Sequence, residues 1–169
     1  HQSGPIGRVF ATMVAEKRVG SVAVIGLGAG TLAAYGLPGM HMEFFEIDPA
    51  VSSIATDERL FRYMTQCRAM ARITEGDGRL LMQGVEGPAF DLVVVDAFSS
   101  DSIPMHLITR EAVALYASRL RPGGMLAFHI SSRHFRLGPV LKRIADAESL
   151  AYRMCDDATV TKQDQLEAK

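Results

Sequence analysis

Residues 21–30 read SVAVIGLGAG, a short apolar run that leads into glycine at every second position. A β-branched run of this length is typical of a buried strand, and glycine permits the positive φ of a tight turn after it. Ligands of an open parallel sheet bind at the edge where its strands end. We therefore predict a strand followed by a binding loop in which Gly26, Gly28 and Gly30 approach a nucleotide-like ligand. Because position 31 is Thr31 and no lysine stands in the loop, neither a dinucleotide fingerprint nor a phosphate-binding P-loop is present.

Strand-like apolar runs alternate with helical patterns along the rest of the chain, which is the signature of βαβ units. The pattern predicts one α/β domain over residues 1–169, with a doubly wound, mostly parallel Rossmann-like sheet and helices on both faces. The predicted strands cover residues 21–26, 41–47, 70–75, 90–97, 125–131 and 150–155. The predicted helices cover residues 6–17, 31–37, 109–120 and 138–148, with shorter ones from Pro49 and Arg79. We expect the helix over 109–120 to stop at Pro122-Gly123-Gly124, and the polar chain after Asp157 to leave the sheet without its last strand.

Composition excludes several classes of function. The formal net charge of −1 over 169 residues gives no electrostatic footprint for nucleic acid or an anionic membrane. No apolar run approaches the roughly 20 residues that span a bilayer, so we expect no membrane insertion of this segment. Two cysteines are too few for a disulfide framework, which predicts a cytoplasmic location. The first residue is His1 rather than Met, so we expect a fragment of a longer chain.

Acidic residues follow the second and third predicted strands. Glu46 stands 20 positions after Gly26, where a carboxylate that binds ribose hydroxyls is expected. Asp48 precedes a proline and is better explained as a helix N-cap. Asp77 lies between two glycines, so it can accept a hydrogen bond from an adenine amino group with Gly78 leaving room for the base. It can equally cap the helix that follows, and the sequence leaves both interpretations open.

The fourth predicted strand ends in Asp96, where an unpaired carboxylate would be costly because the strand is apolar throughout. A ligand ammonium or sulfonium would supply the missing partner, although a hydrogen-bonded structural acid is the alternative. Asp101 is a second candidate for the substrate, and also fits an ordinary turn into a helix. His129, late in the fifth strand, is either a base or donor in the same pocket or a satisfied core histidine. The histidines form no ligand-spaced cluster with cysteine or carboxylate, so we predict no metal site.

These residues resemble the spermidine synthase family, aminopropyltransferases with the class I S-adenosylmethionine-dependent methyltransferase fold. The resemblance runs from the first helix to about Asp157. It rests on the glycine turn, EID at 46–48, GDG at 76–78, residues 91–96 and the segment 96–110, in which DAFSSDSIP at 96–104 is the most specific part. The chain is similar in particular to bacterial spermidine synthase-like domains that are fused to a membrane-spanning portion. That similarity implies the cytosolic domain of such a protein, and it is compatible with the homodimers that family members often form.

The resemblance implies roles for the residues singled out above. The glycine turn and Glu46 would hold the ribose, and Asp77 and Gly78 the adenine, of S-adenosylmethionine or its decarboxylated form. Asp96 would take the place of the catalytic acid that holds a putrescine-like amine and helps to remove its proton. Aminopropyl transfer to a polyamine amine is therefore the leading hypothesis.

Two departures from the family keep other functions open. Ala29 stands where the family has an aspartate that binds the amine of the decarboxylated cosubstrate and repels the carboxylate of S-adenosylmethionine, so discrimination should weaken. The N-terminal β-hairpin that covers the polyamine in the family is missing. A methyltransferase is the first alternative, and a non-catalytic nucleoside-binding or dimerisation module is the alternative from another class. Thr31 and the GDG motif disfavour a nicotinamide dehydrogenase.

Overall fold

The computed structural model describes residues 4–97, 104–130 and 136–155. Five parallel strands in them form one sheet in the order β3-β2-β1-β4-β5. The strands are β1 (Ser21–Ile25), β2 (His41–Glu46), β3 (Met70–Glu75), β4 (Phe90–Val95) and β5 (Leu120–Phe128). The chain winds outward from β1 in one direction and then returns to β4 on its other side, which creates a switch point between β1 and β4. The predicted doubly wound α/β fold is confirmed.

Helices cover both faces of the sheet and divide the core in two. They are α1 (Pro5–Ala15), α2 (Pro49–Thr56), α3 (Gly78–Gly84), α4 (Arg110–Ser118) and α5 (Leu137–Ala147), with 3-10 turns at Thr31–Tyr35 and Met105–Leu107. One core contains Phe10 and Ala55 from the α1 and α2 side. The other contains Met82 and Tyr116 from the α3 and α4 side. Both faces of β1 and β4 are therefore buried, which explains their uninterrupted apolar sequences.

The prediction around Pro122 was wrong. The helix ends at Ser118 and β5 already begins at Leu120, so Pro122-Gly123-Gly124 lies inside the strand instead of separating it from the helix. The pairing of β4 with β5 shifts register between Phe90 and Leu92. A proline without an N–H and two glycines are tolerated at such an irregularity on an outer strand.

The sixth predicted strand was also wrong. Residues 150–155 form no strand, residues 151–155 are exposed, and two side chains of the segment reach α5. The Tyr152 hydroxyl donates a hydrogen bond to the Gly138 carbonyl at 3.2 Å. A Cβ at Gly138 would lie 2.9 Å from the Met154 sulfur, which places that side chain directly on the helix. The helix predicted over 31–37 is shorter than expected and is the 3-10 turn Thr31–Tyr35. Across the described ranges, no helix has the length and apolar character that a bilayer crossing needs.

Candidate functional site

The first candidate residue, Gly26, lies where β1 leaves the sheet and has φ of +101°. Its N–H donates to the Phe45 carbonyl at 2.8 Å, and the Asp96 N–H donates to the Ile25 carbonyl at 2.8 Å. A Cβ at Gly26 would lie 2.4 Å from the Asp96 carbonyl oxygen, far inside van der Waals contact. Glycine is therefore required here for two reasons, the positive φ and the close approach of β1 to the chain leaving β4.

The other two glycines shape the loop that follows. Gly28 and Gly30 have φ of +54° and +76°, and the Gly30 N–H closes a turn on the Leu27 carbonyl at 2.9 Å. Gly28 is exposed with open space around its Cα, whereas a Cβ at Gly30 would meet Met64 at 2.9 Å. The loop is thus compact on the side of Gly30 and accessible at Gly28.

Glu46 ends β2 and is buried, with 7% of its surface exposed. One carboxylate oxygen accepts a hydrogen bond from the Leu27 N–H, and the other accepts one from the Asp48 N–H, both at 2.9 Å. The side chain therefore joins the glycine loop to the start of α2, a structural task that the sequence did not reveal. Each carboxylate oxygen has a second lone pair, so these two bonds leave acceptor capacity for a ligand hydroxyl.

Asp77 caps α3, as one of the two sequence interpretations predicted. Its Oδ1 accepts hydrogen bonds from the N–H groups of Arg79 at 2.8 Å and Leu80 at 3.0 Å. Its Oδ2 lies 3.2 Å from Nε2 of His106, and Arg79 donates to the His106 carbonyl at 2.8 Å. Asp77 and Arg79 thereby anchor the 3-10 turn that precedes α4. The adenine role of Asp77 stays a prediction, and it would use Oδ2.

Asp96 follows β4 and pairs with His129, which follows β5. Asp96 Oδ1 lies 2.7 Å from Nδ1 of His129, and their side chains are 31% and 54% exposed. The hydrogen bond to Asp96 raises the pKa of the imidazole above its usual 6.5, against the smaller opposing effect of burial. The pair makes its full contribution to stability at pH values below the unfolded-state pKa of His129. This contribution is lost as the pH rises through the folded-state pKa. The alternative that His129 is a core histidine is wrong, because more than half of its side chain is exposed.

Contacts around the Gly26 turn bring the candidate strand ends together. Leu27 meets Glu46, the Gly26 backbone meets Asp96, and a Cβ at Gly78 would lie 2.6 Å from Ile25, beside Asp77. Asp101 lies outside the described residues, so its predicted place beside the substrate has no structural account. His106 was not predicted to belong to this edge. The DAFSSDSIP motif ends two residues before it, but the contact with Asp77 depends on folding, because the turn that carries His106 is separated from β3 by a helix and a strand.

Two cavities of the described residues lie elsewhere. One of about 330 Å³ lies at the opposite sheet edge, lined by residues such as Ser21, His41 and Met70. Another of about 290 Å³ lies between α2 and β3 and includes Ser52 and Glu75. Neither includes the three candidate carboxylates. The segments that continue from β4 and β5 at the candidate edge, 98–103 and 131–135, are outside the described residues. In the described part of the chain, no group of three or more His, Cys, Asp and Glu residues could hold a metal ion.

Comparison with known sequences identifies a relative. The chain is 34% identical over 137 residues to a polyamine aminopropyltransferase of Vibrio vulnificus, a match that covers 78% of this chain and 42% of that protein. The chain thus spans less than half the length of this curated relative. No family profile matches the chain.

Comparison with solved structures places the fold. A probable spermidine synthase from Corynebacterium glutamicum superposes with a TM-score of 0.59 at 20% identity, over 70% of this chain and 43% of that one. An O-methyltransferase from Streptomyces achromogenes, solved with S-adenosylmethionine, superposes with a TM-score of 0.54 at 18% identity, over 73% and 54%. The chain therefore has the class I methyltransferase fold. Together with the sequence relative, this confirms the resemblance to a spermidine synthase-like domain.

Proposed function

We propose that this domain belongs to a transferase that moves an aminopropyl group from decarboxylated S-adenosylmethionine to the amine of a putrescine-like acceptor. The observation that carries the proposal is the position of Asp96. Its carboxylate is one-third exposed at the switch point of the sheet, beside the Gly26 turn. A carboxylate there offers a cationic or nucleophilic amine a partner next to a bound nucleoside. Cys67 and Cys155 are free thiols, which fits the proposed cytoplasmic location.

The adjoining strand ends suit the nucleoside of the cosubstrate. Gly28 leaves the loop open, Glu46 has acceptor capacity for ribose hydroxyls, and Asp77 Oδ2 can accept from an adenine amino group. Ile47 follows Glu46 and is 67% exposed, so an apolar side chain stands free at the edge where a flat base would lie. An exposed large apolar residue beside polar acceptors is typical of ligand sites.

The proposed transfer needs little beyond orientation and proton removal. The neutral amine's lone pair forms a C–N bond to the carbon attached to sulfur. The C–S bond breaks with its electrons on sulfur, which turns the sulfonium into a thioether. The nitrogen then carries an extra proton, which Asp96 accepts and passes to water. Holding the amine in line with the C–S bond supplies much of the acceleration.

Methyl transfer is the second candidate, and Ala29 favours it. A carboxylate at this position would repel the carboxylate of S-adenosylmethionine, and a methyl group does not. Asp96 would then orient a methyl acceptor and take its proton in the same way, because the acceptor again bonds to a carbon attached to the sulfonium as the C–S bond breaks.

The two candidates predict different products from one assay. The purified protein is incubated with putrescine and either cosubstrate, and the products are identified by mass spectrometry. We expect an aminopropylated diamine and methylthioadenosine from the decarboxylated form. A methylated product with adenosylhomocysteine would support the second candidate. Turnover of neither cosubstrate would contradict both and favour a non-catalytic module.

Replacing Asp77 with asparagine should separate capping from base recognition. Asparagine caps helices about as well as aspartate, so we expect the free energy of unfolding in urea to change by less than about 0.5 kcal/mol. The affinity for methylthioadenosine should fall about tenfold or more, because the amide would present a donor to the adenine amino group. Asp77→Ala, which loses about 1 kcal/mol with the cap, is the matched control. Unchanged affinity in Asp77→Asn would remove Asp77 from the proposed site.

A further inference from the structure

Asp96 is held by a titratable side chain from the next strand. The Nδ1 to Oδ1 distance of 2.7 Å is that of a charge-assisted hydrogen bond. The two backbones are fixed relative to each other, because the His129 N–H donates to the Val95 carbonyl at 3.0 Å. An ionised carboxylate only accepts, so Nδ1 must carry the hydrogen, and the second carboxylate oxygen points to another direction. The imidazole therefore fixes the rotation of the Asp96 side chain.

We infer that His129 is a positioning residue that orients Asp96 and sets the charge that the acceptor amine meets. This inference rests on the proposed function. When His129 is neutral, the pair carries one negative charge and Asp96 can attract an amine and accept its proton. When His129 is protonated, the pair is neutral overall and the carboxylate is a weaker base and a weaker partner for a cation. Turnover should therefore require the deprotonated imidazole.

Other charged groups at this edge already have partners. Glu46 binds two backbone N–H groups, and Asp77 binds backbone N–H groups and His106. Asp96 Oδ1 hydrogen-bonds the His129 ring, and this bond is the main cause of the raised pKa of the imidazole. The raised value moves the protonation step toward neutral pH, where it can govern the rate.

The test compares His129→Gln with the unmodified protein from pH 5.5 to 9. A glutamine amide can donate a hydrogen bond to Asp96 and cannot titrate. At high pH, the kcat of His129→Gln should therefore stay within about threefold of that of the unmodified protein. The titration of the acceptor amine affects the variant and the unmodified protein equally, so it cancels in the ratio of their rates. We expect the ratio of mutant to original rate to rise about tenfold per pH unit below the pKa of His129. His129→Ala, which removes the bond, should lower kcat by up to about 100-fold at high pH, where the imidazole of the original protein is neutral.

An NMR titration of the imidazole gives the pKa independently of turnover. We expect a value above 6.5 in the original protein and a fall in Asp96→Asn, because the raising interaction is lost. A flat rate ratio across the pH range, or an imidazole pKa that Asp96→Asn leaves unchanged, would overturn the inference. Absence of turnover in the original protein would instead contradict the proposed function, and the NMR titration would then decide whether the pair exists.

Discussion

Replacing Asp96 with asparagine is expected to lower kcat by about 10²- to 10⁴-fold, because an amide cannot accept the proton of the attacking amine. The substitution hardly changes size, and the amide oxygen can still accept from His129. Affinity for methylthioadenosine, measured by calorimetry, should therefore stay within about threefold. A loss of turnover with intact nucleoside binding would place Asp96 on the acceptor side of the site.

Asp91 provides the matched control, because it is an aspartate near the start of β4, at the opposite edge of the sheet from Asp96. Its Oδ2 accepts from the N–H groups of Gly20 and Ser21, and these bonds together with Arg121 lower its pKa against the effect of burial. Asp91→Asn should cost about 1–3 kcal/mol of stability and leave kcat of the folded protein unchanged. Equal loss of kcat in the two variants, or full activity in Asp96→Asn, would refute the catalytic role of Asp96.

The largest effect on stability is expected from Gly26→Ala. The new Cβ would lie 2.4 Å from a backbone oxygen and 2.8 Å from its carbon, and neither can move without separating β1 from β4. Backbone strain and this clash should together cost about 3 kcal/mol or more. For a domain of this size, that lowers the melting temperature by about 6–12 °C, which calorimetry measures directly.

Gly28→Ala is the control for Gly26→Ala. Gly28 also has positive φ, at +54°, but no atom lies within 4 Å of its added Cβ. The left-handed backbone alone should cost about 1–2 kcal/mol. The difference between the two variants isolates the close approach of β1 to Asp96. Equal melting temperatures would mean that this approach is not tight in solution.

The sequence was most informative where local signals and burial agree. The runs at β1 and β4 are apolar on both faces, so their strands were predicted within two residues. The dipeptide Asp48-Pro49 predicted a helix start, and the Asp48 side chain accepts from the Ala50 N–H at 2.9 Å. The N-cap interpretation of Asp77 holds for the same reason, because capping depends on residues close in sequence.

Features that depend on distant contacts were not predictable. The segment at 150–155 is mostly apolar, as a buried strand would be, but the Tyr152 hydroxyl binds the Gly138 carbonyl and the Met154 sulfur lies against α5. The two backbone hydrogen bonds of Glu46 depend on where the glycine loop lies after folding. The pair of Asp96 with His129 depends on the register of β4 with β5, which places Phe128 beside Val95 and so His129 near Asp96.

The central claim is that one nucleoside site lies at the carboxyl edge of the sheet, around the Gly26 turn. Amide NMR spectra recorded during titration with methylthioadenosine test it most directly. We predict saturable shifts at Leu27, Ile47 and Asp77, with Val22 and Met42 at the cavity of the opposite edge unchanged. Shifts confined to that opposite cavity, or none at millimolar nucleoside, would contradict the account.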